Sequence, residues 1–153
     1  MSPGEYLSEG TDRFLTGSDR ERITTQITDV LSRFDDVVLG YIYGSFLTGD
    51  DFHDIDIGII VSREMEPYES FRYAVETAAA VEQNITPRYE VDLRVLNEAP
   101  VSFQYEVVRT GMAVFVRDED GRISFEAGVI SRYLDQKPLF DRMEKMVMSS
   151  VNQ

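Results

Sequence analysis

The stretch VVLGYIYG at residues 37–44 has no polar face. Its β-branched and aromatic side chains run unbroken by any charged residue. A strand of that kind is stable inside a sheet, with neighbours on both edges and cover on both faces. The chain is thereby limited to layered folds in which helices pack against a sheet. A second run, DIDIGIIV (54–61), reads as another strand, apolar except where Asp54 and Asp56 interrupt it. RYEVDLRVL (88–96) alternates apolar and charged residues, as a third strand would, and MAVFV (112–116) reads as a fourth, short one.

Helical spacing fills the gaps between these runs. Ile23, Ile27, Val30, Leu31 and Phe34 recur on one helical face, and SDRE (18–21) fits a capping box with Ser18 as N-cap and Glu21 at the third helical position. PYESFRYAVETAAAVEQN (67–84) is Ala-rich and opens on a proline, so it reads as a helix. Pro100 and Gly111 bracket a shorter one. DEDG (118–121) reads as a turn. A helical pattern follows from about Arg122 to Met148, and Pro138 is expected to break it. Its end, FDRMEKMVM, is amphipathic and is expected to pack on the chain's own sheet, with docking to a partner as the alternative use. The order α-β-β-α-β-α-β-α describes an α/β (α+β) domain with a small mixed sheet flanked by helices. With 153 residues, one domain over 18–150 is expected, preceded by a loose polar arm over 1–17.

Composition narrows the function. There is no cysteine and one histidine, His53, which excludes disulfides, thiolate metal sites and poly-histidine sites. The start MSPGEYLSEG lacks the basic region and apolar core of a signal peptide, and no apolar run approaches the roughly 20 residues of a membrane helix. A cytoplasmic protein is expected. Acidic residues number 28 against 15 basic, a net charge of −13. Nucleic-acid binding draws on Lys and Arg at phosphates, so direct binding to DNA or RNA is not expected. A basic protein partner or a salt-rich cytoplasm would suit this charge.

The chemistry concentrates at GSFLTGDDFHDID (44–56). Residues i and i+2 of a strand face one side, so Asp54 and Asp56 project together while Ile55 and Ile57 turn into the core. Two adjacent carboxylates repel, and burial adds to the cost of their charge; a cation relieves both. An all-oxygen donor set suits Mg²⁺ or Mn²⁺. On the third strand Asp92 shares a face with Glu90 and Arg94, opposite Val91, Leu93 and Val95. If the two strands are neighbours, Asp92 completes a triad able to hold two divalent ions about 4 Å apart for in-line displacement at phosphorus. Gly44 and Ser45 stand at the end of the first strand, where a backbone free of side chain and a hydroxyl can approach a triphosphate. FLTG could start a short helix there. Asp50 and Asp51 read as a solvated loop, His53 as a surface or neighbouring group, and Tyr41, Tyr43, Phe71 and Tyr73 as core or interface.

Gly44-Ser45, Asp54-Ile55-Asp56 and the distant Asp92 together resemble the DNA polymerase beta-like nucleotidyltransferase superfamily. The segments VDLRVLNEAP, YEVVRTGMAVFVRDEDGRISFEAGV and RYLDQKPLF resemble its minimal nucleotidyltransferases (MNT), the antitoxin partners of HEPN toxins. The resemblance spans roughly residues 20–145 and implies a nucleotidyltransferase fold, ATP as substrate, Mg²⁺ as cofactor and AMP transfer onto a tyrosine of a HEPN-type ribonuclease toxin. It implies that Asp54, Asp56 and Asp92 bind metal and carry catalysis, and that Gly44 and Ser45 bind nucleotide. Compared with many relatives the loop from Ser45 to Asp54 is about two residues shorter, His53 replaces a frequent serine, and Thr48 stands where a basic residue is common. The shorter loop and Thr48 motivate an alternative, an antitoxin with weak catalysis that neutralises its toxin by occlusion. A small-molecule nucleotidyltransferase is a further alternative, opposed by the lack of a second domain to enclose such a substrate.

Overall fold

The computed structural model describes residues 15–49 and 51–151. Its elements are α1 (Gly17–Ser32), β1 (Val37–Tyr43), α2 (Ser45–Thr48), β2 (Asp54–Val61), α3 (Pro67–Asn84), β3 (Glu90–Val95), α4 (Val101–Thr110), β4 (Met112–Val116) and α5 (Glu119–Val151). The four strands form one mixed sheet in the order β3-β2-β1-β4, so the two most apolar runs take the centre. β1 is antiparallel to β2 and β4, and β2 is parallel to β3.

Each face of the sheet has its own core. On one, Ile23, Ile27, Val30 and Leu31 of α1 and Ala74 and Val81 of α3 cover Ile55, Ile57 and Ile59 of β2. Those three isoleucines are fully buried, and each such side chain contributes about 2–3 kcal/mol. On the other, Leu39 and Tyr41 of β1 pack with Leu96 and with Val107 and Phe103 of α4, and Phe125 of α5 joins them. The period of β2 therefore places Asp54, Asp56 and Gly58 on the face that α4 and α5 share.

The expected mixed α/β domain is present, with differences at its joints. The first helix is capped by Thr16 and Asp19, not by Ser18 and Glu21. Asp19 N donates to Thr16 Oγ1 and Thr16 N to Asp19 Oδ2, each at 3.1 Å, and Ser18 instead shares a hydroxyl contact with Thr16. It ends at Ser32, two residues before Phe34. β1 ends at Tyr43 because Gly44 leaves the extended region, and β3 spans only Glu90–Val95. DEDG is not a separate turn: Asp118 accepts from Asp120 N at 3.2 Å, and α5 begins at Glu119. α5 also runs unbroken through Pro138, with the Lys137–Asp141 pair at 3.2 Å spanning that point. Its C-terminal part does not pack on the sheet: Met143, Met146, Val147, Met148 and Val151 are exposed. Phe71 is exposed too, whereas Tyr41 is buried and Tyr43 and Tyr73 partly so. Of the expected N-terminal arm, residues 1–14 lie outside the described residues, as does Asp50. No helix among the described residues is long and apolar enough to cross a membrane.

The chain leaving β3 is tied back by Gln104. This buried amide on α4 donates from Nε2 to Leu96 O at 2.6 Å. Gln104→Leu keeps the volume and removes this donor while Leu96 O keeps its bond from Ala99 N, so urea unfolding should show a loss of about 0.5–1.5 kcal/mol.

Candidate metal and nucleotide site

The parallel pairing of β2 with β3 sets Asp56 opposite Asp92 and Asp54 opposite Glu90. Carboxylate oxygens of Asp54, Asp56 and Asp92 all lie within 4.8 Å of one another, and all three residues are half-buried. The expected triad is thus brought together, and Glu90, on the same strand face as Asp92, is exposed and outside it. On its other edge β2 sets Asp56 opposite Tyr43 of β1.

The electrostatics follow from this crowding. Burial, then the charges of Asp54 and Asp92, push the Asp56 carboxyl above its ordinary range, with the Arg94 charge opposing them. Burial and then Asp56 push the Tyr43 phenol up to about 12, so it stays protonated at neutral pH. Three oxygen donors so close, one of them costly to ionise, match the needs of a hard divalent cation. The residues present therefore fit Mg²⁺ or Mn²⁺, and nothing in the set suits a soft metal.

Gly44 is bound into the same arrangement. Its backbone has φ +79° and ψ −156°, a region essentially reserved for glycine. A Cβ there would fall on Asp56 Oδ2. The glycine thus lets the β1–α2 turn lie directly against the carboxylate. Ser45 opens the four-residue α2, which Phe46 anchors in the core at 2% exposure. Arg20 of α1 braces the same turn: it donates to Phe46 O and, at 2.7 Å, to Gly49 O, and lies 5.4 Å and 5.6 Å from the Phe46 and Phe52 ring centroids. Asp51, His53 and Thr48 are exposed.

Two arginines lie near the site, and of these only Arg20 escaped the sequence reading. Arg94 shares the Asp92 face of β3, a signal available from alternation alone, and its Nη2 lies 3.5 Å from Asp92 Oδ2. Arg20 lies 26 positions before Phe46, and no local pattern joins them. Arg63 pairs with Asp36 and Glu69 and plays no part in the triad.

A half-open sheet carrying clustered carboxylates beside a Gly-Ser turn defines the class of domain. Residues 25–120 match the family Polymerase beta, Nucleotidyltransferase, and the chain belongs to it. No curated protein matches the sequence. Among solved structures, the fold is similar to a chain from the complex of a tri-AMPylated Shewanella oneidensis HEPN toxin with an MNT antitoxin. That chain shares 21% identity with a TM-score of 0.65, the match covering 84% of this chain and 98% of that one. A chain of a toxin–antitoxin complex with AMP-PNP matches at 22% identity and TM-score 0.66, covering 82% and 98%. A chain of the toxin–antitoxin complex MntA–HepT matches at 20% and 0.64, covering 84% and 98%. The fold is common to all of them.

Two outcomes follow. Gly44→Ala should lower stability by about 1–3 kcal/mol from backbone strain alone, and calorimetric titration should show weakened Mn²⁺ binding because Asp56 must move. Asp56→Asn should stabilise the protein in chelator at neutral pH by on the order of 1 kcal/mol or less. The sign follows from the raised carboxyl of folded Asp56: the native protein loses stability as pH rises through that value, and the variant does not. Melting curves in EDTA should therefore converge as pH falls below the ordinary Asp range.

Proposed function

We propose that this chain is a Mg²⁺-dependent nucleotidyltransferase that moves AMP from ATP onto a tyrosine hydroxyl of a HEPN-type toxin, and so serves as the antitoxin of the pair. The observation that carries the reading is the triad of Asp54, Asp56 and Asp92 within 4.8 Å, beside the Gly44–Ser45 turn. Membership of the nucleotidyltransferase family supports the reaction class. The similar folds in toxin–antitoxin complexes, one of them an MNT antitoxin with a tri-AMPylated HEPN toxin and one with AMP-PNP, support the acceptor and the nucleotide.

In this reading Asp54 and Asp56 would hold two divalent ions and Asp92 would hold one of them. Bound cations supply charge neutralisation at the triad and at the phosphates. Gly44 and Ser45 receive the β- and γ-phosphates through backbone N–H groups and the hydroxyl. The acceptor oxygen attacks the α-phosphorus, the bond to the β-phosphate oxygen breaks, and pyrophosphate leaves from the Gly44–Ser45 side. The acceptor's proton passes to Asp92, which forms the edge of the triad on β3. Tyr43, with its phenol raised to about 12, stays neutral and adds no charge against the triphosphate. Most of the acceleration comes from positioning and from fixed charge. A cytoplasmic setting accords with the ATP that the reaction consumes. The net charge of −13 suits a toxin whose docking face is basic, and association should weaken with salt.

The test combines the protein, Mg²⁺, ATP labelled at the α-phosphate and a HEPN-type toxin. Label should appear on a toxin tyrosine and vanish with EDTA. Asp54→Asn/Asp56→Asn should fold, bind the toxin and transfer nothing. A complex that forms and silences the toxin without any label transfer would support occlusion instead.

A further inference from the structure

The guanidinium of Arg94 is held between two unlike partners. Nη2 lies 3.5 Å from Asp92 Oδ2, and the Cζ atom lies 5.4 Å from the centroid of the Phe103 ring. Phe103 is in turn set by Tyr43, edge-on at 5.7 Å and 82°. A ring from α4, itself set by a ring from β1, thus keeps the charge of a β3 arginine beside the triad. An arginine on an aromatic face is restricted in the angles it can sample, so its position is set before any ligand arrives. The Arg94 side chain is 59% exposed and that of Asp92 43%. A pair so open to water adds little to folding stability. Its electrostatic effect falls instead on whatever enters the triad.

What enters can carry charge of either sign. A bare divalent cation brings two positive charges next to a fixed guanidinium and must also displace it from Asp92. A cation carried on a nucleotide polyphosphate arrives with net negative charge, which the same guanidinium attracts. We propose that Arg94 is a positioning residue that acts as a built-in counter-ion of the triad: it holds Asp92 in the cation-free site, weakens the binding of bare divalent cations, and biases the site towards cations delivered on a nucleotide polyphosphate. This rests on the reading of Asp54, Asp56 and Asp92 as the cation site.

The experiment titrates Mn²⁺ alone, and ATP at saturating Mn²⁺, into the full chain by calorimetry. Native protein, Arg94→Gln, Arg94→Lys and Asp54→Asn/Asp56→Asn are compared, with circular dichroism to check folding. Arg94→Gln should bind Mn²⁺ alone about three- to tenfold more tightly, as expected for removing one nearby positive charge in a water-exposed setting. It should bind ATP with Mn²⁺ no more tightly than native. Arg94→Lys keeps the charge and should return Mn²⁺ affinity to within about twofold of native. An unchanged or weaker Mn²⁺ affinity in Arg94→Gln, while the native protein binds and the double Asn variant does not, would overturn the role of Arg94 alone. Absence of Mn²⁺ binding in the native protein, or equal binding by the double Asn variant, would overturn the cation site and the role of Arg94 with it.

Discussion

The parallel ladder between β2 and β3 is the constraint on which the rest depends. In that register Asp56 faces Asp92, Ile57 faces Leu93 and Ile55 faces Val91. A slip by one residue would turn Ile55, Ile57 and Ile59 to the α4 side and the carboxylates into the α1–α3 core. Burying unpaired charge there would cost several kcal/mol, added to the exposed isoleucines. The apolar pattern that drives folding is therefore the same pattern that fixes where the carboxylates meet. Function needs no separate device to align them. It needs only that the alternation of β2 start on an aspartate and that its parallel neighbour carry one at the matching level.

That logic also explains which parts were legible in the sequence. Asp54, Asp56 and Asp92 could be grouped because strand alternation has a fixed period and because a polar residue on an otherwise apolar strand stands out. Gly44 was legible as a strand-end glycine with a backbone open to a phosphate, but the contact with Asp56 that forbids a Cβ there depends on a tertiary approach that spacing does not encode. The first helix start was misplaced for a different reason. Thr16-Gly17-Ser18-Asp19 and Ser18-Asp19-Arg20-Glu21 both satisfy the capping pattern, and the choice falls to the backbone at Thr16, extended at φ −72° and ψ 161°. Arg20 was invisible as a brace, since its partners at Phe46 and Gly49 come from a different element. Pairings between remote positions are where single-sequence reasoning ends.

The long helix α5 departs from expectation through helix energetics. Pro138 removes one backbone hydrogen bond and crowds the preceding turn, at a cost of about 3 kcal/mol. A break there would free residues 139–151 from 19 helical positions before the proline. Helix nucleation is the unfavourable step and propagation the favourable one. Continuing past one defect avoids a second nucleation, and the Lys137–Asp141 pair ties the turns on either side. At the other end, the ring of Tyr133 stacks on Tyr105 of α4, with centroids 3.7 Å apart and planes within 3°. The helix is thus clamped to the body before the proline and leaves it afterwards, with the side chains of residues 141–151 exposed.

The remaining question is how a fold tolerates a site that opposes it. Three carboxylates within 4.8 Å repel, and the Asp56 carboxyl is raised first by burial and then by the charges of Asp54 and Asp92. The cost is on the order of 1 kcal/mol, because all three groups remain half open to water. Directly behind them Ile55, Ile57 and Ile59 are fully buried and contribute about 6–9 kcal/mol together. The two contributions belong to one strand and to opposite faces of it, so neither can be removed by local unfolding without the other. Relief of the repulsion by partial opening would expose the isoleucines, which costs several times what it returns. The strand therefore stays closed and the carboxylates stay crowded, a state that a cation with its oxygen-seeking charge relieves without any rearrangement of the sheet.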